Sequence, residues 1–305
     1  MRLFRILVRV AAAVAVVAIA GGMAFWLRPV ELAREFLYLR MRLAGYDSRT
    51  VVAAGYRIHY DALGPEHGAP VVLVHGLGGR AEDWVNLAPY LAQAGYRVYL
   101  PDLPGFGRSE QPASFSYSIP DQAAVVEQFE DAMQLKQADL GGWSMGGWIA
   151  ERMAVDHPER AKKLMLFDAA GLYAKPEWNT DLFMPENSEQ LDSLDALLMP
   201  VPPKVPGFVA ADLIRSSRKN AWVVRRALDS MLAGRDTMDN ALQELKMPVL
   251  IVWGDKDRIT PLEQGMAMHK LIPQSEIEVF ANCGHLAPTQ CAAPMGPKVV
   301  EFLNR

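Results

Sequence analysis

The sequence contains little that would build a metal centre, a disulfide framework or a nucleic-acid interface. Only two of its 305 residues are cysteines, Cys283 and Cys291, and they lack the C-x-x-C spacing of structural zinc sites. We therefore expect two free thiols. The histidines are scattered and form no H-E-x-x-H motif, so no metal ion is expected. The formal net charge is only -4, which leaves no basic face for a nucleic acid. No glycine loop has a phosphate-cradling form, so no cofactor is expected.

The amino terminus differs from the rest of the chain. Residues 10–27 carry no charged side chain and follow three arginines. A helix of this length would extend about 27 Å, close to the hydrocarbon thickness of a bilayer. We interpret residues 1–28 as a retained signal anchor, because the apolar run continues beyond the small residues 18–20, where a signal peptidase could cut. Secretion after cleavage is the alternative. Arginines flank both ends, and those at the extreme terminus favour an extracytoplasmic, periplasmic domain.

Residues 29–48 are predicted to form an amphipathic connector. Apolar residues recur there at helical spacing, with charged residues elsewhere on the wheel: Leu32, Phe36, Leu39 and Leu43. This pattern favours a helix that lies on a membrane surface. A connector helix packed on the domain would show the same pattern.

After the connector, strand patterns alternate with helix patterns. Residues 70–74 and 248–253 are continuous apolar runs, as expected for strands buried on both faces. Residues 81–94 are typical of a helix between strands. The alternation predicts an α/β fold with a mostly parallel central sheet and helices on both faces.

This regularity is interrupted between residues 172 and 245. Several prolines occur there, and only residues 191–198 and 221–232 have helical patterns. We predict an inserted lid at residues 172–245 over a core formed by residues 49–171 and 246–305.

One serine stands between glycines directly after a predicted strand, in Gly142-Trp143-Ser144-Met145-Gly146. This pattern predicts a nucleophile elbow, a sharp strand-to-helix turn that holds the serine hydroxyl clear of the sheet. Gly142 and Gly146 supply the space that such a turn needs. The helix that starts at Met145 directs free backbone N–H groups toward whatever the serine attacks.

A serine hydroxyl needs a base to take its proton and a third group to orient that base. Asp257 follows a late predicted strand, and His285 comes just after the last one. Both therefore lie at carboxyl ends of strands, where active sites of open parallel sheets form. The chain order Ser144, Asp257, His285 is the order of the α/β-hydrolase fold.

From about residue 51 to its end, the chain resembles the α/β-hydrolase superfamily in these motifs. The resemblance implies that Ser144 is the nucleophile and His285 the general base. It also implies that Asp257, the last residue of a G-x-x-D group, is the acid. Asp255 and Asp168 are alternative acids, and aspartates at turns also act simply as caps.

Residues 75–79 resemble the superfamily's H-G-x-G loop, with Gly76 as its first glycine. The resemblance implies an oxyanion hole formed by the backbone N–H groups of Leu77 and Met145. Each donor of this kind supplies roughly 3 kcal/mol of transition-state stabilisation. Residues 78–79 could instead supply the first donor.

A serine at the elbow, rather than an aspartate, implies acyl transfer through an acyl-enzyme. The chain is also similar to the membrane-anchored monoacylglycerol lipases of this superfamily. The shared features are an N-terminal span, a basic and aromatic connector, an Ala-Gly-Leu at residues 170–172 and an Asn-Cys-Gly-His at residues 282–285. Trp143 departs from this pattern, since these relatives often carry a smaller residue there.

The resemblance implies a serine hydrolase that cleaves carboxylic esters of lipids, without a cofactor and at a membrane. A carbon-carbon bond hydrolase acting on 1,5-diketones is an alternative that keeps the same triad. It would need polar or cationic groups for the acid end of its substrate. A non-catalytic receptor with the same fold is a further alternative, which the intact triad disfavours. The lipid substrate and the membrane are the only partners indicated.

Overall fold

A single sheet of eight strands forms the centre of the structure, a computed structural model that describes residues 4–5, 9, 14–16, 21–23 and 25–305. The strands are β1 (Asp47–Ala53), β2 (Tyr56–Leu63), β3 (Ala69–Val74), β4 (Tyr96–Pro101), β5 (Ala138–Trp143), β6 (Ala161–Phe167), β7 (Val249–Gly254) and β8 (Ser275–Phe280). Their spatial order is β1-β2-β4-β3-β5-β6-β7-β8. Strand β2 pairs antiparallel with β1 and β4, and every other pair is parallel. The predicted mostly parallel sheet is confirmed.

Helices connect the strands and cover the sheet. They are α1 (Pro29–Leu43), α2 (Ala88–Gln93), α3 (Ile119–Ala132), α4 (Met145–Asp156), α5 (Ser188–Leu198), α6 (Gly207–Leu232), α7 (Leu262–Leu271), α8 (Ala287–Gln290) and α9 (Ala292–Asn304). Short 3-10 turns lie at Ala81–Trp84, Thr180–Phe183 and Leu242–Glu244.

Alternate residues of the central strands face two separate apolar layers. In β3, Val71 and Leu73 join a layer that contains residues of α2 and α9, whereas Val72 and Val74 join a layer with α3 and α4. All four side chains are fully buried. Because successive strand residues point to opposite faces, a continuous apolar run allows both faces to be covered. The prediction of helices on both faces is confirmed.

Two helices differ from the sequence-based predictions. The helix predicted over residues 81–94 is divided into the 3-10 turn at Ala81–Trp84 and helix α2. Pro89 explains the division, since proline has no N–H to donate and fits only in the first turn of a helix. The predicted patch at residues 221–232 is the second half of the longer α6, which begins at Gly207 directly after Pro206.

Between β6 and β7 the structure has helices and turns and no strand. We call residues 172–245 the cap segment. Helices α5 and α6 pack on each other here through Leu191, Ala210 and Ile214. Side chains of α6 also reach the main core, because Val223 and Ala227 are buried in it. The cap segment therefore lies on the core that the strands and helices outside it form.

Helix α1 packs on the domain along one side only. Met41 is buried, and Leu37 and Tyr38 pack against the core. The apolar row predicted from the sequence faces outward instead, with exposed fractions of 40% for Leu32, 62% for Phe36, 51% for Leu39 and 79% for Leu43. The helix is thus a packed connector that also presents an apolar face to its surroundings.

Most of the predicted anchor, residues 1–28, lies outside the described residues, so the span stays a prediction. Within the described part, no single helix has both the length and the apolar character to cross a bilayer. A bent pair of helices that ends in α1 meets that standard by length and composition alone. Close to α1, Trp26 stacks on Phe208 of α6 with ring centroids 4.7 Å apart.

Candidate active site

Ser144 lies at a sharp turn between β5 and α4. Its φ of 55° falls in the left-handed region of backbone conformation, which residues other than glycine rarely adopt. Such a conformation costs energy, and the hydrogen bond from Ser144 N to Phe167 O, 3.0 Å long, helps to hold it. The turn predicted from the sequence is present, with α4 starting at the next residue.

The glycines around Ser144 are required by close contacts. A side-chain carbon at Gly142 would overlap the carbonyl of Gly146, and one at Gly146 would overlap the carbonyl of Val74. At Gly76 an added carbon would lie 3.2 Å from the Ser144 Cβ. These positions let α4 and the loop after β3 approach the turn closely, as the sequence motif indicates.

The structure brings Ser144, His285 and Asp257 together in one hydrogen-bonded chain. Ser144 Oγ lies 2.8 Å from His285 Nε2, and His285 Nδ1 lies 2.7 Å from Asp257 Oδ2. All three residues are buried, with 8% of Ser144 exposed. This geometry allows the imidazole to take the serine proton while the carboxylate orients and stabilises the ring.

The Asp257 carboxylate is held in place by the loop that follows it. Its Oδ1 accepts hydrogen bonds from Ile259 N at 2.7 Å and Thr260 N at 3.0 Å. Thr260 Oγ1 lies 2.7 Å from Asp257 Oδ2 and 3.2 Å from His285 Nδ1. Thr260 thus contacts both partners, and no sequence motif singled it out.

The two alternative acids are placed differently. Asp255 forms an ion pair with Lys256, at 3.4 Å, rather than a contact with His285. Asp168 is fully buried, and its Oδ1 accepts a hydrogen bond from Gly254 N at 2.7 Å. Burial and the neighbouring Asp257 carboxylate raise the pKa of Asp168 well above its usual range. Asp168 therefore lies beside the acid and contacts the backbone of β7 rather than His285.

Trp143 holds the segment that carries His285. Its Nε1 donates a hydrogen bond of 2.6 Å to the His285 carbonyl oxygen, and the two ring centroids are 5.6 Å apart. The side chain is buried, with 7% exposed. Trp143 therefore connects the serine turn to the backbone of the base, which explains a large residue at this position.

The expectation of two free thiols is wrong, because Cys283 and Cys291 form a disulfide. Eight positions separate them in sequence, and α8 brings them to a Cα–Cα distance of 6.2 Å. The closed loop contains His285. The Cys283 carbonyl also accepts a hydrogen bond of 2.8 Å from Lys256 N, next to Asp257. Cysteine spacing alone does not reveal such a pair, since the bridge depends on how the chain turns.

The loop after β3 lies against the serine turn and contains a buried histidine. His75 is fully buried, accepts a hydrogen bond on Nε2 from Leu103 N at 3.0 Å and has its Nδ1 2.8 Å from Gly76 O. Burial lowers the pKa of His75, so the ring is a neutral structural group. Within the described ranges, neither Leu77 N nor Met145 N donates to another group. Both N–H groups remain available, and their role as oxyanion donors stays a prediction.

Two cavities meet at Ser144. The larger, of about 380 Å³, is lined mainly by apolar side chains, among them Trp148, Leu172, Trp178, Phe183, Leu228 and Met231. We call it the apolar cavity. The second cavity, of about 310 Å³, contains His285, Leu77 and Trp143 together with Val30 and Arg34 of α1. The cap segment lines both cavities.

In the described part of the chain, no group of histidine, cysteine and acidic residues could hold a metal ion.

Similar proteins fall into one fold family but differ in activity. The family described as alpha/beta hydrolase fold matches residues 69–218 and 235–289. A 2-hydroxy-6-oxononadienedioate/2-hydroxy-6-oxononatrienedioate hydrolase of Burkholderia vietnamiensis is 30% identical over 82% of this chain and 91% of its own length. Lipase 1 of Psychrobacter immobilis is 31% identical over 77% of each chain. The crystal structure of a membrane phospholipase A has a TM-score of 0.83 and 26% identity, covering 100% of this chain and 98% of that one.

Replacing Trp143 with phenylalanine tests its hold on His285. A buried carbonyl that loses its donor costs about 1–3 kcal/mol, and about 1.4 kcal/mol on the barrier is tenfold in rate. We expect Trp143→Phe to lower kcat on a short-chain p-nitrophenyl ester by about tenfold, with KM changed less than about twofold.

Trp84→Phe is the matched control, because Trp84 is a buried core tryptophan whose Nε1 has no partner within the described residues. It should retain kcat. An equal loss of kcat in both variants would show that Trp143 only fills space.

The disulfide predicts that alkylation of the unfolded, unreduced protein modifies no cysteine, whereas prior reduction exposes two thiols. Reduction should also lower the free energy of unfolding by about 2–3 kcal/mol, as expected for a loop of this length. Intact-mass measurement and denaturant titration check both effects. Two alkylated cysteines in protein that was never reduced would refute the bridge.

Proposed function

Because the chain belongs to the α/β-hydrolase fold family and is a hydrolase, we propose that it cleaves carboxylic esters of lipids, monoacylglycerols among them. The reaction passes through an acyl-enzyme on Ser144. The observation that carries the proposal is the apolar cavity with Ser144 on its lining.

In the proposed first half-reaction, Ser144 Oγ attacks the ester carbonyl carbon while His285 Nε2 takes the hydroxyl proton. The carbonyl oxygen becomes an oxyanion and accepts hydrogen bonds from Leu77 N and Met145 N. When the carbon–oxygen bond to the alcohol breaks, His285 returns the proton to the leaving oxygen. Asp257 orients the imidazole and stabilises its charged form throughout.

In the second half-reaction, water replaces the alcohol. His285 takes a proton from the water as its oxygen attacks the acyl carbon, and the bond to Ser144 Oγ breaks as that oxygen regains the proton. The products are a carboxylic acid and the free enzyme. No electron transfer and no cofactor is needed for this sequence.

The character of the apolar cavity supports a lipid acyl group as the substrate's acid part. Aromatic and aliphatic side chains line it, and Met231 adapts readily to an irregular alkyl chain. A volume of about 380 Å³ is within the range of small-molecule sites. The similarity to a lipase and to a membrane phospholipase A points in the same direction.

A membrane location is part of the proposal. The exposed apolar row of α1 carries exposed Arg40 and Arg42 beside it, a composition suited to the interface of an anionic membrane. The second cavity opens beside this helix, since Val30 and Arg34 line it.

We further propose that residues 1–28 anchor the protein with its catalytic part on the periplasmic side. The Cys283–Cys291 disulfide supports this side, because disulfides persist in oxidising compartments.

Carbon-carbon bond hydrolysis is a second candidate. It is supported by the 30% identity to a 2-hydroxy-6-oxononadienedioate/2-hydroxy-6-oxononatrienedioate hydrolase. Such a substrate carries carboxylates, and Arg34 and Arg80 line the second cavity. The extent of apolar lining on the other side of Ser144 favours the lipid ester.

A substrate panel separates the two activities. We expect the protein to hydrolyse monoacylglycerols at least about a hundredfold faster than a 2-hydroxy-6-oxo dienoic acid, measured as kcat/KM by acid release and by dienoate absorbance. Ser144→Ala should abolish ester hydrolysis while it keeps the thermal midpoint within a few degrees. Faster turnover of the dienoic acid would overturn the lipid-ester proposal.

The anchor is tested by fractionation of cells that express the full chain. We expect the protein to stay in the membrane pellet after an alkaline carbonate wash, and a chain without residues 1–28 to be released. Labelling of Ser144 by a fluorophosphonate serves as the folding control for both. Release of the full chain, or retention of the shortened one, would contradict the anchor.

A further inference from the structure

A third cavity, of about 450 Å³, lies between α1, α6 and the loop after β4. We call it the basic cavity. It adjoins the second cavity, because the two share Val30, Arg34, Arg80, Ser216 and Asn220 as lining residues. Arg34 and Arg80 therefore lie between the basic cavity and the cavity that reaches Ser144.

Positive charge predominates in the basic cavity. Its cationic residues are Arg28, Arg34, Arg80, Arg108, Arg215 and Lys219. Its acidic residues are Glu31, Glu35 and Asp212. Carboxylates already occupy three of the arginines: Arg28 pairs with Glu31 at 2.9 Å, Arg108 with Asp61 at 2.7 Å and Arg215 with Asp212 at 2.6 Å.

Arg34 and Arg80 are different from these three. Both are half-buried, and neither forms an ion pair with any residue of the described chain. Asp83 also lines the second cavity, but its Oδ2 accepts a hydrogen bond of 2.8 Å from the main-chain N–H of Arg80. Burial raises the pKa of the Asp83 carboxyl to about 6, which weakens it as a counter-charge near that pH.

Glu82, two residues after Arg80, is also buried, and its carboxyl has no hydrogen-bond partner within the described residues. Two half-buried guanidinium groups outside any ion pair are costly to desolvate. An anion in the shared part of the two cavities would offset this cost. Guanidinium groups bind phosphate and carboxylate oxygens in pairs, through the planar arrangement of their N–H groups. The site is therefore suited to a planar or tetrahedral oxyanion carried by the substrate.

The relation of this site to Ser144 indicates which part of the substrate carries the anion. An acyl chain in the apolar cavity directs the alcohol part of the ester into the second cavity. In a glycerophospholipid, a phosphodiester follows the glycerol carbons within a few bonds of the ester. Such a group would reach toward Arg34 and Arg80.

We propose that Arg34 and Arg80 form a subsite for the phosphodiester of a single-chain glycerophospholipid. The proposal rests on the proposed ester hydrolysis at Ser144. Helix α1 then has two roles, since it presents an apolar row outward and supplies Arg34 to the substrate path. Its position is maintained by a hydrogen bond of 2.9 Å from Val30 N to Asp212 Oδ2 and by Arg108, which stacks 4.2 Å over the Tyr38 ring.

The test compares lysophosphatidylglycerol with monoacylglycerol of the same acyl chain, in detergent micelles and with the full chain. The measured quantity is the ratio of kcat/KM for the two substrates. In the double variant Arg34→Gln, Arg80→Gln we expect this ratio to fall at least tenfold, since each arginine makes charge-assisted hydrogen bonds to the phosphodiester. Arg34→Lys and Arg80→Lys should give intermediate ratios, because lysine keeps the charge but not the paired donors.

Arg218→Gln is the matched control. Arg218 is exposed on α6, which also lines the basic cavity, and it lines none of the three cavities itself. Its ratio should equal that of the wild type.

Three results would count against the subsite. An unchanged ratio in the double variant would overturn it. An equal fall in Arg218→Gln would also overturn it, because it would indicate a general effect of charge on micelle binding. In the third result, the double variant loses kcat/KM only for a carboxylate-bearing 2-hydroxy-6-oxo dienoic acid and keeps it for both esters. That result would overturn the subsite too, because the arginines would then bind a carboxylate. Hydrolysis of neither ester by the wild type would instead overturn the proposed function.

Discussion

The left-handed backbone of Ser144 is the constraint on which the rest of the site depends. A residue with φ of 55° at the end of β5 turns the chain so sharply that α4 must pass directly behind β3. Only glycine fits where these elements meet, as at Gly142 and Gly146. The parallel sheet stabilises this turn because the neighbouring strands β3 and β6 are buried at the ends that lie beside it. Strain at one residue is thus held by packing of the whole sheet.

The second partner of the site, His285, lies on a segment without regular secondary structure, and several contacts fix it there. The Trp143 indole donates to its carbonyl, the Cys283–Cys291 bridge closes its loop, and the Asp257 loop donates to Cys283. A loop residue placed by rigid surroundings can reach hydrogen-bond distance of the serine reproducibly. Interactions around the base therefore matter to the site as much as the three hydrogen-bonded residues themselves.

Much of this could be predicted from the sequence, because the signals are local. The alternating apolar runs indicate the parallel sheet, and the glycines around Ser144 indicate the turn. The chain order of Ser144, Asp257 and His285 indicates that strand ends bring them together. In contrast, the disulfide and the bond from Trp143 to His285 join positions that only the folded chain brings together. The proposed anionic subsite also could not be predicted from local signals, since Arg34 and Arg80 lie on different elements.

The cavities, the cap segment and helix α1 together suggest how a membrane lipid would be processed. In the proposed reaction, its acyl chain would occupy the apolar cavity and its alcohol part would extend toward α1. The central claim is that Ser144 carries the acyl group during this reaction. Acid quenching within the first turnovers of a medium-chain p-nitrophenyl ester, followed by intact-mass and peptide mass spectrometry, tests it most directly. We predict a mass increase equal to the acyl group on the peptide that contains Ser144. Product formation without acylated enzyme, or acylation of another residue, would contradict the account.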